Sequence, residues 1–266
     1  MPPPDIVQTA DFVFSQALEH EGDSGKLLLA KRKTDRNDRY LVKHAYTDCA
    51  CNEFIYTKLA QAMGYHMPDA VLFQLSPGEK RPCFQTEYII GTRFLTVIDS
   101  CPSYTAIREQ AKNWKDFFAF YSLYSITGEA DGVEILLADD SMIYRVDTTD
   151  AFPVSNFQLD LAGVNHDMGG CNPYVETRNQ LLNQDLSNSL SVTNCDWWLE
   201  RILQIDPESR SYFLEPFARI QEIHQDYIDD FLNTLCYFYP DFIGEYFKRY
   251  ISALQNQCAD YLKGKR

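Results

Sequence analysis

Between Ile126 and Pro153 the chain reads ITGEADGVEILLADDSMIYRVDTTDAFP, and no other stretch limits its possible folds so tightly. Two acidic groups, Glu129/Asp131/Glu134 and Asp147/Asp150, flank two apolar runs, Ile135-Leu136-Leu137 and Met142-Ile143-Tyr144 with Val146. Between the runs lies Ala138-Asp139-Asp140-Ser141, whose short polar side chains bend the backbone through local bonds. The pattern predicts a β-hairpin, and antiparallel pairing brings both acidic groups to one end of it. Carboxylates gathered in one place repel unless a cation or a proton intervenes. Two or more converging oxygen ligands are how Mg2+ is usually held. The same residues also suit an ordinary solvated loop in so acidic a chain.

Charge and length narrow the function. A formal net charge of -14 argues against nucleic acid as the main partner, because that affinity is largely cationic neutralisation. A local basic patch, Lys26, Lys31, Arg32, Lys33, Arg36 and Arg39, can still serve a phosphorylated small molecule. The 266 residues suit one large domain or two small lobes with ample core. No apolar run approaches a membrane span, and the start MPPPDIVQTADF lacks the basic-then-apolar order of a signal peptide. A cytoplasmic protein without a membrane span is the expectation. The cysteines form no CxxC pair and read as reduced thiols, mostly filling the core. Cys49-Ala50-Cys51 near His44 is the alternative, a metal site, although zinc pairs are usually more widely spaced.

Upstream of the hairpin the chain is strand-rich. Asp11–Leu18, Lys26–Ala30 and Arg39–His44 alternate with polar turns, the pattern of a small antiparallel meander. In the first turn, Gly22 and Gly25 allow close backbone approach to a phosphate and Ser24 adds a hydroxyl; a plain hairpin turn fits equally. Lys43 follows Leu41 and Val42, and on the face of Leu41 its ammonium needs an anion, either a carboxylate or a phosphate. Helical spacing predicts a helix over Cys51–Gly64 with Asn52 as its cap and Glu53 in the first turn, where its charge suits the helix dipole. An exposed lysine and a dipole-stabilising glutamate remain the plainer account of Lys43 and Glu53. Two more strands are expected over Asp69–Leu75 and Cys83–Ile90, then one aromatic helix over Tyr104–Ile126. The change from strands to helices near Gly91 marks a lobe boundary. Residues 155–194 lack periodicity and are rich in Asn, Asp and Gly, which points to a functional or mobile stretch. Helices are expected over Cys195–Ile205, Ser211–Tyr237 and Asp241–Lys263.

The order of these features resembles the protein-kinase-like superfamily: glycine turn, strand lysine, helix glutamate, a strand ending TEYIIG, a long helix, then acid–loop–hairpin–acid. The nearest likeness is to its atypical bacterial branch of HipA-like kinases, phosphatidylinositol 3/4-kinase-like proteins and aminoglycoside phosphotransferases. It spans about residues 10 to 155 and fits the helical tail only loosely. The resemblance implies an α+β, bilobal fold with a small antiparallel-sheet lobe and one helix (residues 1–90). A mainly helical lobe carrying the hairpin follows (residues 91–266). It implies ATP and Mg2+ as cofactors, with Lys43 on the phosphates and paired to Glu53. The Thr86–Gly91 segment, with Glu87 and Tyr88, would form the hinge that takes the adenine edge. The catalytic loop falls on Glu129–Leu136 and the metal aspartate on Asp147, 13 positions after Glu134.

The catalytic loop departs from the family pattern. Glu129 stands where the general base is usually Asp, and Glu134 stands where the second metal ligand is usually Asn. Both keep oxygen donors, but a base misplaced by about an ångström can cost around a hundredfold in rate. Asp131 is the other candidate base. Two functions are therefore expected to compete: a kinase moving the γ-phosphate of ATP to a protein Ser/Thr or small-molecule hydroxyl, and a pseudokinase that binds nucleotide or protein without turnover.

Overall fold

The computed structural model describes residues 5–16, 27–42, 47–74, 88–130, 132–152, 173–237, 239 and 241–265. The first part of the chain builds a sheet from β1 (Ile6–Gln8), β2 (Phe12–Gln16), β3 (Leu28–Arg32), β4 (Arg39–Val42), β5 (Ala70–Gln74) and β6 (Tyr88–Arg93). Their spatial order is β1-β5-β6-β4-β3-β2. The meander β2-β3-β4 is antiparallel as the alternating sequence predicts. The β5–β6 hairpin then joins it through β6, which pairs with β4. One pairing departs from the expectation: β1 lies parallel to β5, with Ile6 opposite Leu72. Three residues are too few to show alternation, so nothing in the sequence announced β1.

The run Ala70–Phe73 is continuously apolar because β5 is buried on both faces. Val71 and Phe73 point to a cluster with Phe12, Ala30, Tyr40 and Val42. Ala70 and Leu72 point the other way, into the main core with Phe54, Ile55 and Leu59 of helix α1 (Thr47–Ala62). Every residue from Ala50 to Thr57 is buried, so α1 is enclosed on all sides rather than lying on a surface. This helix starts at Thr47, not at Cys51. Asn52 is therefore not a cap, and Glu53 sits beyond the first turn, where the helix dipole no longer explains it.

A second sheet, β7-β8-β9, is built from Val97–Asp99, Glu134–Ala138 and Ile143–Val146. The hairpin β8–β9 forms as the apolar runs predict, with Leu137 opposite Ile143 and Glu134 opposite Val146. Its tip is a turn closed by the Ser141 amide on the Ala138 carbonyl (3.0 Å), with Ser141 in the left-handed region at φ 64°. The expected helix over Tyr104–Ile126 is two, α2 (Tyr104–Gln110) and α3 (Asp116–Thr127). Ala111 is extended between them, and Asn113 turns its side-chain amide onto β9. The amide nitrogen donates to the Ile143 carbonyl (2.9 Å), and its oxygen accepts from the Ile143 amide (2.8 Å).

The described residues from Pro173 onward are mainly helical: α4 (Pro173–Asn183), α5 (Val192–Ile205), α6 (Arg210–Glu222), α7 (Gln225–Leu235) and α8 (Asp241–Lys265). The expected single helix over Ser211–Tyr237 breaks at Ile223, which is extended, and His224 caps α7. Helix α4 lies inside the stretch expected to lack regular structure.

Gly91 is the tightest point of the first sheet. A Cβ there would lie 2.4 Å from Phe73 Cε2 and 3.4 Å from Tyr40 Cβ. Gly91→Ala should cost about 1–3 kcal/mol through overpacking. Urea unfolding of the variant against wild type checks this, and equal midpoints would show that the Phe73 ring yields without strain.

Candidate active site

The hairpin register carries the site. Because Glu134 pairs with Val146, the next residue, Asp147, leaves β9 beside the start of β8. Asp147 does so at φ 55°, and Phe152 closes the same segment at φ 66°. Left-handed backbone at residues other than glycine costs on the order of 1–3 kcal/mol and persists only where the surroundings enforce it. Here they do. The Thr149 hydroxyl donates to Asp147 Oδ1 at 3.4 Å, and Asn52 Nδ2 of α1 donates to the Thr149 carbonyl at 3.0 Å. At the far end the Phe152 amide donates to the Thr127 carbonyl at 2.9 Å. Its buried ring meets Phe247 and Tyr250 of α8 edge-on, with centroids 5.5 and 5.6 Å apart. Asn52 thus links α1 to the segment after β9, and its neighbour Glu53 is buried at the same level of the helix.

Beneath this segment lies a contact that the sequence did not reveal. Arg145 of β9 and Glu129 are both fully enclosed, with Nη2 donating to Glu129 Oε1 at 2.5 Å. The same guanidinium donates to the carbonyls of Gly132 (2.7 Å), Glu134 (3.1 Å) and Val146. Burial pushes the Glu129 carboxyl up against the opposing pull of Arg145, and the nearby charges of Asp147 and Asp150 push the same way. Tyr56 of α1, also buried, lies close enough to feel both charges. The one sequence signal was positional: Arg145 shares a strand face with Ile143, and Ile143 points into the core.

The other expected site residues fall as follows. Gly22, Ser24, Gly25, Lys43, Glu87 and Asp131 lie outside the described residues. Tyr88 opens β6 opposite Gln74. Of the expected hinge, Tyr88–Gly91 lies in β6, where Gly91 pairs with Val42 on one side and Val71 on the other. The chain leaves that sheet after Arg93, where the Phe94 amide still bonds the Arg39 carbonyl (2.9 Å). Glu134 is exposed at the head of β8, and Asp147 is half-buried. Among the described residues no group of three or more His, Cys, Asp or Glu side chains converges as a metal cage. Mg2+ characteristically takes one or two carboxylates and completes its shell with phosphate and water, so Glu134 and Asp147 fit it in number and donor type.

Removing one member of the buried pair should be severe. Glu129→Leu strands the Arg145 charge and should cost about 3–5 kcal/mol, whereas Glu129→Gln, which keeps an acceptor, should cost less. Chemical denaturation of both variants checks the ranking, and equal losses would mean that the charge of Glu129 is irrelevant.

No family model matches the sequence, and no curated protein is similar to it in sequence. Among solved structures, the chain is similar to the proinflammatory kinase CtkA of Helicobacter pylori, with a TM-score of 0.53 at 10% identity over 96% of each chain. It also matches HipA of Shewanella oneidensis, solved with HipB and operator DNA, at a TM-score of 0.41 and 13% identity. That match covers 94% of this chain and 64% of HipA. The likeness to CtkA shows that the chain has a kinase-like α+β fold, as its sequence resemblance implied.

Proposed function

We propose that the chain is an ATP-dependent phosphotransferase acting on an alcohol hydroxyl. The observation that carries this is the conformation of Asp147. A carboxylate held in left-handed backbone beside Glu134, and tied through Thr149 to α1, is strain kept at a site where charge is to be bound. Lys43, which the resemblance pairs with Glu53, would hold the ATP phosphates, and Asp147 and Glu134 would hold Mg2+. The metal would neutralise the charge spread over the phosphate oxygens. Asp131 accepts the proton of the acceptor hydroxyl as its oxygen bonds to the γ-phosphorus and the bond to ADP breaks. Glu129 does not serve as that base, because its carboxylate is enclosed against Arg145. The acceptor is a protein Ser/Thr or a small-molecule hydroxyl, and the strongly acidic chain favours cationic acceptors.

A pseudokinase is the second reading, and the burial of Glu129 favours it: the usual base position holds an internal ion pair. Both functions require nucleotide binding, and transfer of labelled γ-phosphate separates them.

Thermal unfolding with ATP, with and without Mg2+, is the first test. A ligand at about 100 times its dissociation constant stabilises the folded chain by about 2.7 kcal/mol. Wild type should show a rise in Tm that grows with Mg2+. Asp147→Gly should lose the Mg2+-dependent part while keeping or slightly raising the Tm of the free protein, since glycine takes φ 55° without strain. No rise in wild type at saturating ATP would remove the proposal.

A further inference from the structure

We propose that Arg145 is a positioning residue that sets the span between the two metal-binding carboxylates, Glu134 and Asp147. The assignment rests on the phosphotransferase reading of the hairpin. The pair Glu134–Val146 is the last rung of the β8–β9 ladder, so strand pairing stops at the point where the two carboxylates must be held apart by a fixed distance. Arg145 takes over there. Its Nη1 donates to the carbonyl of Glu134, one ligand, and to the carbonyl of Val146, the residue immediately before the other. Its Nη2 donates to the Gly132 carbonyl and to Glu129, in the loop before β8. One rigid, planar group therefore ties Glu129 and Gly132, the start of β8 and the backbone entering Asp147 together.

The chemistry of the side chain is specific to this task. A guanidinium offers a fixed fork of donors in one plane, whereas a lysine offers a compact point charge on a flexible stem. Lysine at this position can answer Glu129 but cannot span three carbonyls. Plain stability does not account for the arrangement, since a buried ion pair is often no more stable than an apolar group of the same volume. The side chain has no exposure at all, so it touches neither nucleotide nor acceptor and acts through the residues it holds. Groups that orient metal ligands in this way typically change metal affinity by about 10–100-fold when altered.

The test compares full-length wild type with Arg145→Lys by titrating ATP in EDTA and in excess Mg2+, and taking the ratio of the two dissociation constants. Wild type should bind ATP more tightly with Mg2+. Arg145→Lys should lose about tenfold or more of that gain while its affinity in EDTA stays within about twofold. A merely structural role would lower both affinities together and overturn the proposal, as would a ratio equal to wild type. If Arg145→Lys does not fold, Glu129→Gln decides, because it leaves the three carbonyl bonds in place. Retention of the Mg2+ gain supports the proposal, and its loss overturns it. A wild type that binds ATP equally with and without Mg2+ removes the metal site itself, and with it the role of Arg145.

Discussion

A full positive charge without solvent contact is the constraint on which the centre of this molecule depends. Taking a guanidinium out of water costs several kcal/mol, which its acceptors must offset. The two terminal nitrogens of Arg145 find one carboxylate and three carbonyls, while its buried Nε has no acceptor among the described residues. The four acceptors come from three segments, so the loop after α3, the start of β8 and the end of β9 can adopt only arrangements that converge on this group. The enclosure of Glu129 is a consequence of one charge being kept inside.

Around that centre the fold is layered so that α1 is central. It covers one face of the first sheet with Phe54, Ile55 and Leu59 and faces the hairpin with Asn52 and Tyr56. It is also held from the helical side, where Arg219 donates to the Met63 carbonyl (2.5 Å) just past its end. The helix that carries Glu53 is thus braced from both sides, which preorganises the region around Asp147.

Much of the fold was legible because its elements bury one face and leave a periodic trace. The meander, the β8–β9 hairpin and α8 follow from alternation or helical spacing alone. The misreadings share one cause: they occur where a distant partner, not local propensity, decides. Ala111 interrupts the aromatic helix because Asn113 is needed at β9. Asn52 reads as a cap but lies inside a helix, where its amide serves Thr149. Arg145 was not singled out because its acceptors are mostly backbone carbonyls, which no sequence displays. For the site, the pairing of Glu134 near Asp147 followed from the hairpin, whereas the removal of Glu129 from solvent did not.

Asn113 has a consequence for how the molecule meets its neighbours. Its amide presents one donor and one acceptor to Ile143, as the backbone of another strand would. A strand edge left open is a template on which other chains can assemble. Here a single side chain plugs that template at Ile143, and an incoming strand would have to evict it before extending the sheet past β9. On the opposite margin, β7 carries the exposed Val97 and Ile98. A strand added to this sheet would meet the Asn113 amide at the β9 margin and the exposed Val97 and Ile98 at the β7 margin.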